Sequence, residues 1–221
     1  MFSLSPASSS NVFRKRRVQR LKAMVADHVA AKGRCRIVDL GGTPEFWHVW
    51  RDEMNFDGVT ITCINLGFTA ETDGSLPIEL VHGSACDLPE HADNSFDVAF
   101  SNSVIEHVGS WANKSAFARE ARRLAPSHMI QTPSFWFPIE PHARFPLLHW
   151  LPDPLVYRIH LAMRTGFYPR AANLDEAMVS LEDARLLDGR QMRYLFPDSE
   201  LVTERFIGLP KSLMAVRHAV S

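Results

Sequence analysis

A chain of 221 residues, 46% hydrophobic and 22% charged, can bury a sizeable core without disulfide or metal staples, and its composition excludes global disorder. The 24 Lys and Arg nearly balance 25 Asp and Glu, leaving a net charge of −1, which argues against a dedicated nucleic-acid binder. No apolar run reaches the ~18 residues of a membrane-spanning helix, so no integral membrane span is expected. Cys35, Cys63 and Cys86 are widely spaced and odd in number. They fit neither a disulfide framework nor a zinc pattern, and point to a reducing, cytoplasmic compartment.

Residues 1–10 are Ser-rich and read as a flexible tail, with one domain over 11–221. No acid precedes Asp27, and Arg14, Lys15, Arg16, Arg17, Arg20 and Lys22 form a basic run. Such a start also fits an organelle transit peptide. The plainer reading is an amphipathic helix with Val12, Phe13, Leu21, Met24 and Val25 among its apolar positions. Residues 36–41 are a short apolar run ending in glycine, as a buried strand would. Pro44 opens a helical pattern through Met54, in the first turn where proline is permitted. Residues 59–64, 78–83 and 96–101 read as further strands, 114–124 as a helix stopped by Pro126, and 129–132 as a fifth strand. Strands separated by helices or long crossovers predict a doubly wound, mostly parallel sheet.

Residues 133–174 break this rhythm. They hold seven of the 14 prolines and a dense set of aromatics, too apolar for a linker, and read as an insertion or lid. A helix is expected over 175–187. Strands over 201–207 and 213–220, joined across 208–212, are too close for a parallel crossover and should form an antiparallel pair.

Ligands of parallel α/β sheets sit beyond the carboxyl ends of the strands, where strand order reverses. The first such end reads Val38-Asp39-Leu40-Gly41-Gly42-Thr43-Pro44. Glycines let backbone approach a ligand closely, although an ordinary glycine turn reads the same way. No GxxxxGK[ST] phosphate loop and no full GxGxxG occurs. The other informative stretch is Asp87-Leu88-Pro89, then Ser95-Phe96-Asp97-Val98-Ala99-Phe100-Ser101-Asn102-Ser103-Val104-Ile105-Glu106-His107.

Together these motifs resemble the class I S-adenosylmethionine-dependent methyltransferases, in the methyltransferase type 11-like branch, over roughly residues 36–132. The resemblance implies a Rossmann-like seven-stranded sheet with an antiparallel C-terminal strand, and S-adenosylmethionine as cofactor. It implies that Asp39 anchors the cofactor's amino group, with Gly41 and Gly42 against the ligand. Asn65, beside Leu66, ends the second strand where the family usually has an acid for the ribose. Asp87 corresponds to the acid beside the adenine, with Leu88 on the ring. Ser101 and Asn102 fall near the methionine end. Thr43 stands where the family commonly has another glycine.

Methyl transfer from a sulfonium needs mainly positioning and desolvation, with a base only where the acceptor is protonated. Glu106 and His107 are the catalytic candidates, His107 having an ordinary pKa near ~6.5. His107 reads equally as a loop-ordering residue. Trp136, Glu140 and His142 are candidate acceptor contacts, and the same aromatics also suit a core under a long loop. Glu140, His142 and His149 match no standard metal spacing, and no metal is expected. The expected reaction is methyl transfer to a small-molecule or glycan-like acceptor, at oxygen. The alternative is a non-catalytic cofactor-binding or assembly protein on the same fold. Oligomeric state is not legible.

Overall fold

The computed structural model describes residues 9–67 and 74–219. Most of the expected tail, and Val220, lie outside these residues. A long helix, α1 (Ser9–Lys32), precedes strand β1 (Cys35–Leu40). Val18, Leu21 and Val25 recur at helical spacing and, with Phe13 and Met24, are buried; Val12 is exposed, so the apolar stripe excludes it. Helix α2 (Pro44–Val49) is shorter than the sequence suggests, because a separate 3-10 turn at Arg51–Glu53 replaces its last turn.

Strands β2 (Val59–Asn65), β3 (Ile78–His82) and β4 (Val98–Asn102) follow, then helix α3 (Trp111–Leu124) and strand β5 (Ser127–Pro133). The segment 133–174 holds a small antiparallel hairpin, β6 (Ile139–Glu140) with β7 (Phe145–Pro146), and helix α4 (Asp153–Ala162). Helix α5 (Leu174–Glu182) starts on Asn173, whose side chain accepts from the Glu176 N–H. Helix α6 (Gly189–Leu195) has no counterpart among the expected elements, although its start carries a local signal: Asp188 and Gln191 form a reciprocal capping box.

Strands β8 (Glu200–Phe206) and β9 (Leu209–Arg217) close the chain. Their junction is Ile207-Gly208, not the expected five residues. Both residues have positive φ (49° and 78°), as a two-residue turn matched to strand twist requires.

Seven strands join in the order β3-β2-β1-β4-β5-β9-β8, a mixed α/β sheet of Rossmann-like type with β9 antiparallel to its neighbours. Strand β1 pairs in parallel with β2 on one side and β4 on the other. The order therefore reverses at β1, which makes the carboxyl ends of β1 and β4 the switch point of the sheet. That central place explains the β1 sequence: Cys35, Ile37, Val38 and Leu40 are all fully buried, each aliphatic side chain contributing roughly 1.5–3 kcal/mol.

The chain divides into two compact units. The first runs to Ser101 and takes in Arg119–Ile130 and the residues from Val216; the second comprises Asn102–Ala118 and Gln131–Ala215. The second has its own apolar cluster, built from Ala143, Leu148, Val156 and Leu181 with Phe145, Tyr157 and Tyr168 against it. None of the described helices is long and apolar enough to cross a membrane.

At the amino end of the sheet, Asp97 holds the first unit together. Its carboxylate accepts from the Arg36 N–H at 2.8 Å and from the Lys32 ammonium at 3.3 Å, with the Arg36 guanidinium 3.5 Å away. Burial raises its pKa, but these donors outweigh burial and hold it below the usual value. Its stabilisation is therefore full at neutral pH and lost as pH falls through and below the ordinary carboxylate range. Asp97→Ala should lower unfolding free energy by about 2–3 kcal/mol at pH 7, read by urea denaturation, with a much smaller deficit near pH 3.

Candidate functional site

The first unit places Asp39, Gly41, Gly42 and Asn65 together at the end of β1. Asp39 is 1% exposed. Its carboxylate accepts one hydrogen bond from the Trp47 indole N–H at 2.8 Å. Trp47 is itself fully buried, stacked edge-on to Phe46 and Phe100 at 5.3 and 5.7 Å. Burial pushes the Asp39 carboxyl up to about 7, with the Trp47 hydrogen bond only partly offsetting it.

The two glycines are needed for different reasons. Gly41 has φ +76°, a left-handed conformation that costs other residues roughly 1–2 kcal/mol. Gly42 has an ordinary φ, but a Cβ there would lie 1.9 Å from the Asp39 carboxylate, so the acid is packed directly onto its Cα.

Asn65 clamps this loop. Its side-chain amide donates to the carbonyls of Gly41 (3.0 Å) and Gly42 (3.3 Å), and its oxygen accepts from the Gly67 N–H. An aspartate would set a carboxylate against two carbonyl oxygens, so the departure from the familiar acid suits this loop. Ser101 is also committed: its hydroxyl donates to the Leu40 carbonyl at 2.8 Å and ties the ends of β4 and β1 together. Leu88 is fully buried in the core, while Leu66 is exposed. Asp87 is exposed, with its backbone N–H donating to the Ser84 carbonyl.

The second unit gathers a different set. Ile105–His107 form a 3-10 turn just after β4. Glu106 is fully buried; one carboxylate oxygen, Oε2, accepts from the Thr132 hydroxyl at 2.9 Å, and the other, Oε1, has no partner. Burial raises its pKa above the usual value.

His107 and His142 meet edge to face, their Nε2 atoms 3.1 Å apart. His107 Nδ1 lies 3.0 Å from the Asp183 carbonyl and 3.5 Å from its carboxylate, which also accepts from the Tyr168 hydroxyl at 2.8 Å. Burial lowers the His107 pKa, but Asp183 and Glu106 outweigh it and leave it raised. His142 Nδ1 sits 2.7 Å from Glu140, whose other oxygen accepts from the Ala143 N–H. His149, seven residues on, is not part of this set: its Nε2 and the Trp150 indole N–H both reach the Phe135 carbonyl at 2.8 Å. Trp136 is 55% exposed, with its ring 6.2 Å from that of Trp150.

Four partners are not legible in the sequence as such. Trp47 has a faint signal, since a buried Asp39 needs a donor. Thr132, Tyr168 and Asp183 have none, because chain separations of 15 to 76 residues are closed only by folding.

Residues 25–127 match the family model described as a methyltransferase domain. Among solved structures, a possible exported protein from Bordetella parapertussis is 15% identical, covering 95% of this chain and 68% of its own, with a TM-score of 0.56. The N-terminal domain of EvdMO1, solved with S-adenosylhomocysteine bound, is 16% identical over 96% of this chain and 85% of its own, at 0.55. The CurJ carbon methyltransferase is 13% identical over 91% of this chain and 55% of its own, at 0.51. At such identities these likenesses establish the fold. No curated protein matches the chain.

The Asp39 shift has a consequence for stability. A carboxyl raised from 3.8 to about 7 on folding makes the folded state bind the extra proton. Stability should therefore fall as pH rises from about 4 to about 7, and level off above that. Asp39→Asn should abolish this decline, read from chemical denaturation at a series of pH values. An unchanged profile would place the buried charge elsewhere.

Proposed function

We propose that this chain, whose residues 25–127 match a methyltransferase domain model, is an S-adenosylmethionine-dependent methyltransferase and methylates an oxygen of a small-molecule or glycan-like acceptor. The observation that carries the cofactor reading is the Asp39 carboxylate packed onto the Cα of Gly42 at the sheet's switch point. The residues suit the group. Asp39 has acceptor sites beyond the one used by Trp47, as an ammonium requires, and the glycine backbone has no side chain to keep a ligand away. Asp87, exposed beyond β3, offers an acceptor for the adenine amino group.

When bound, the cofactor supplies an activated methyl on a sulfonium leaving group. The chain's own residues then have three tasks. Asp39, Gly41 and Gly42 hold the amino-acid end, while Asn65 keeps the loop in shape. Ser101 braces β4 against β1, and Asn102 follows at its end. Glu106 and His107 are the groups assigned to the acceptor oxygen, and Glu140, His142 and Trp136 to its surroundings. Support for that assignment comes from their chemistry: a buried carboxylate oxygen without a partner and two imidazole nitrogens are acceptors for a hydroxyl hydrogen.

Calorimetry tests this reading. Wild type should bind both S-adenosylmethionine and S-adenosylhomocysteine; binding of neither would sink it. Asp39→Ala should weaken both by about 10- to 150-fold, the loss of one charge-assisted hydrogen bond of roughly 1.5–3 kcal/mol. Asp87→Ala should cost on the order of tenfold for both, because they share the base. His107→Ala should leave these affinities within twofold while lowering methyl transfer to an oxygen acceptor.

A further inference from the structure

The two imidazoles present a problem in proton arrangement. His142 Nδ1 faces the Glu140 carboxylate at 2.7 Å, and His107 Nδ1 faces the Asp183 backbone carbonyl at 3.0 Å. Ionised carboxylates and carbonyls only accept, so each Nδ1 carries its hydrogen. With both rings neutral, each would present a bare Nε2 lone pair to the other across 3.1 Å. Two lone pairs at that distance repel, and either a proton on one Nε2 or a metal cation between the rings relieves the repulsion. Glu106, fully buried and with one oxygen unpartnered, belongs to the same cluster: one ligand atom from each of Glu106, His107 and His142 lies within 4.8 Å of the others.

We propose that Glu106, His107 and His142 bind one divalent first-row transition ion, with zinc as the preferred occupant. The donor set is two imidazoles and a carboxylate, which suits zinc, cobalt or ferrous iron and not magnesium or calcium. Two nitrogens 3.1 Å apart, bonded to one ion at ~2.05 Å, subtend roughly 98° at it, close to a tetrahedral angle. Tetrahedral donors around zinc stand ~3.3 Å apart, so the carboxylate must close by at most about 1.5 Å as the ion enters.

The surroundings match what metal-bound histidines require. Each Nδ1–H is held by an acceptor, which fixes the tautomer and aims Nε2 at the ion. Glu140 is held in turn by the Ala143 N–H, and Asp183 by the Tyr168 hydroxyl. Three protein ligands leave a coordination position open, the pattern of a catalytic and not a structural site. That position is where an acceptor oxygen would bind; this role rests on the methyl-transfer reading, whereas ion binding does not.

The test uses the untagged 221-residue chain stripped with chelator. Titration with Co²⁺ should show one equivalent bound at micromolar or lower Kd, with the visible absorption of a four-coordinate cobalt centre displaced by Zn²⁺, and no response to Mg²⁺. His107→Ala and His142→Ala should each weaken Co²⁺ by about 100-fold or more, and Glu140→Gln by about 10-fold through loss of the Nδ1 partner. Zn²⁺ should raise the melting temperature of wild type and not of these variants. X-ray absorption of zinc-loaded wild type should count two imidazoles and needs no substitution, so it holds even if a variant fails to fold. No saturable Co²⁺ binding, or fewer than two imidazoles on the zinc, would overturn the site and leave a shared proton between the histidines. Calorimetry with S-adenosylhomocysteine on the same preparations separates the two readings. Cofactor binding without Co²⁺ binding overturns the metal site alone, and Co²⁺ binding without cofactor binding upholds it.

Discussion

The first unit is organised around one buried carboxylate. Asp39 stands at the carboxyl end of the central strand, out of water, and accepts from a single indole N–H. A charge in that position is costly, and the chain accommodates it by raising its pKa instead of surrounding it with cations. Much around it follows. Gly42 has no room for a side chain because the acid occupies the space. Trp47 must be tryptophan, since a phenylalanine of similar bulk has no donor. Asn65 must be an amide, because it holds the two loop carbonyls beside the acid. A ligand bearing a cationic amino group would supply the charge the acid lacks, which is the physical link between this strand end and the cofactor.

The second unit is built the opposite way. Its polar side chains are numerous and mutually supporting: Tyr168 to Asp183, Asp183 to His107, Glu140 to His142, Thr132 to Glu106. Such a network is costly to assemble unless nearly every group is satisfied. Among its described residues the buried Glu106 Oε1 has no partner, nor does His149 Nδ1 elsewhere in the unit, and Glu106 lies close to the two facing Nε2 atoms. The unit also carries an apolar cluster of its own, built on Ala143, Leu148, Val156 and Leu181.

The motif Ser95-Phe96-Asp97 illustrates how one stretch of sequence serves two ends of a sheet. Asp97 lies before β4 and secures the amino edge through Arg36 and Lys32, while Ser101, four residues later, braces the carboxyl edge. Strand alternation and a rise of ~3.3 Å per residue separate these tasks by the length of β4. Asp97 contributes to stability and Ser101 to the shape of the switch point, although they belong to one recognisable string.

By itself, the sequence determined the alternation of buried strands and amphipathic helices, the glycine turn after β1, the resemblance that names the cofactor, and the antiparallel closing pair. These are local properties: runs of β-branched residues, a proline in a first turn, glycines where backbone must bend. It also placed Glu106, His107, Glu140 and His142 among the candidates by residue type. Only the tertiary structure decided that Leu88 is core, that Asn65 clamps the glycine loop, that His149 is tied to a backbone carbonyl, and that His142 faces His107 across 3.1 Å. The two histidines are 35 residues apart along the chain, with helix α3 and strand β5 between. Spacing along a sequence reports only contacts that one helix or strand can make, and the Nε2-to-Nε2 approach is made by separate elements whose meeting depends on how the whole second unit packs.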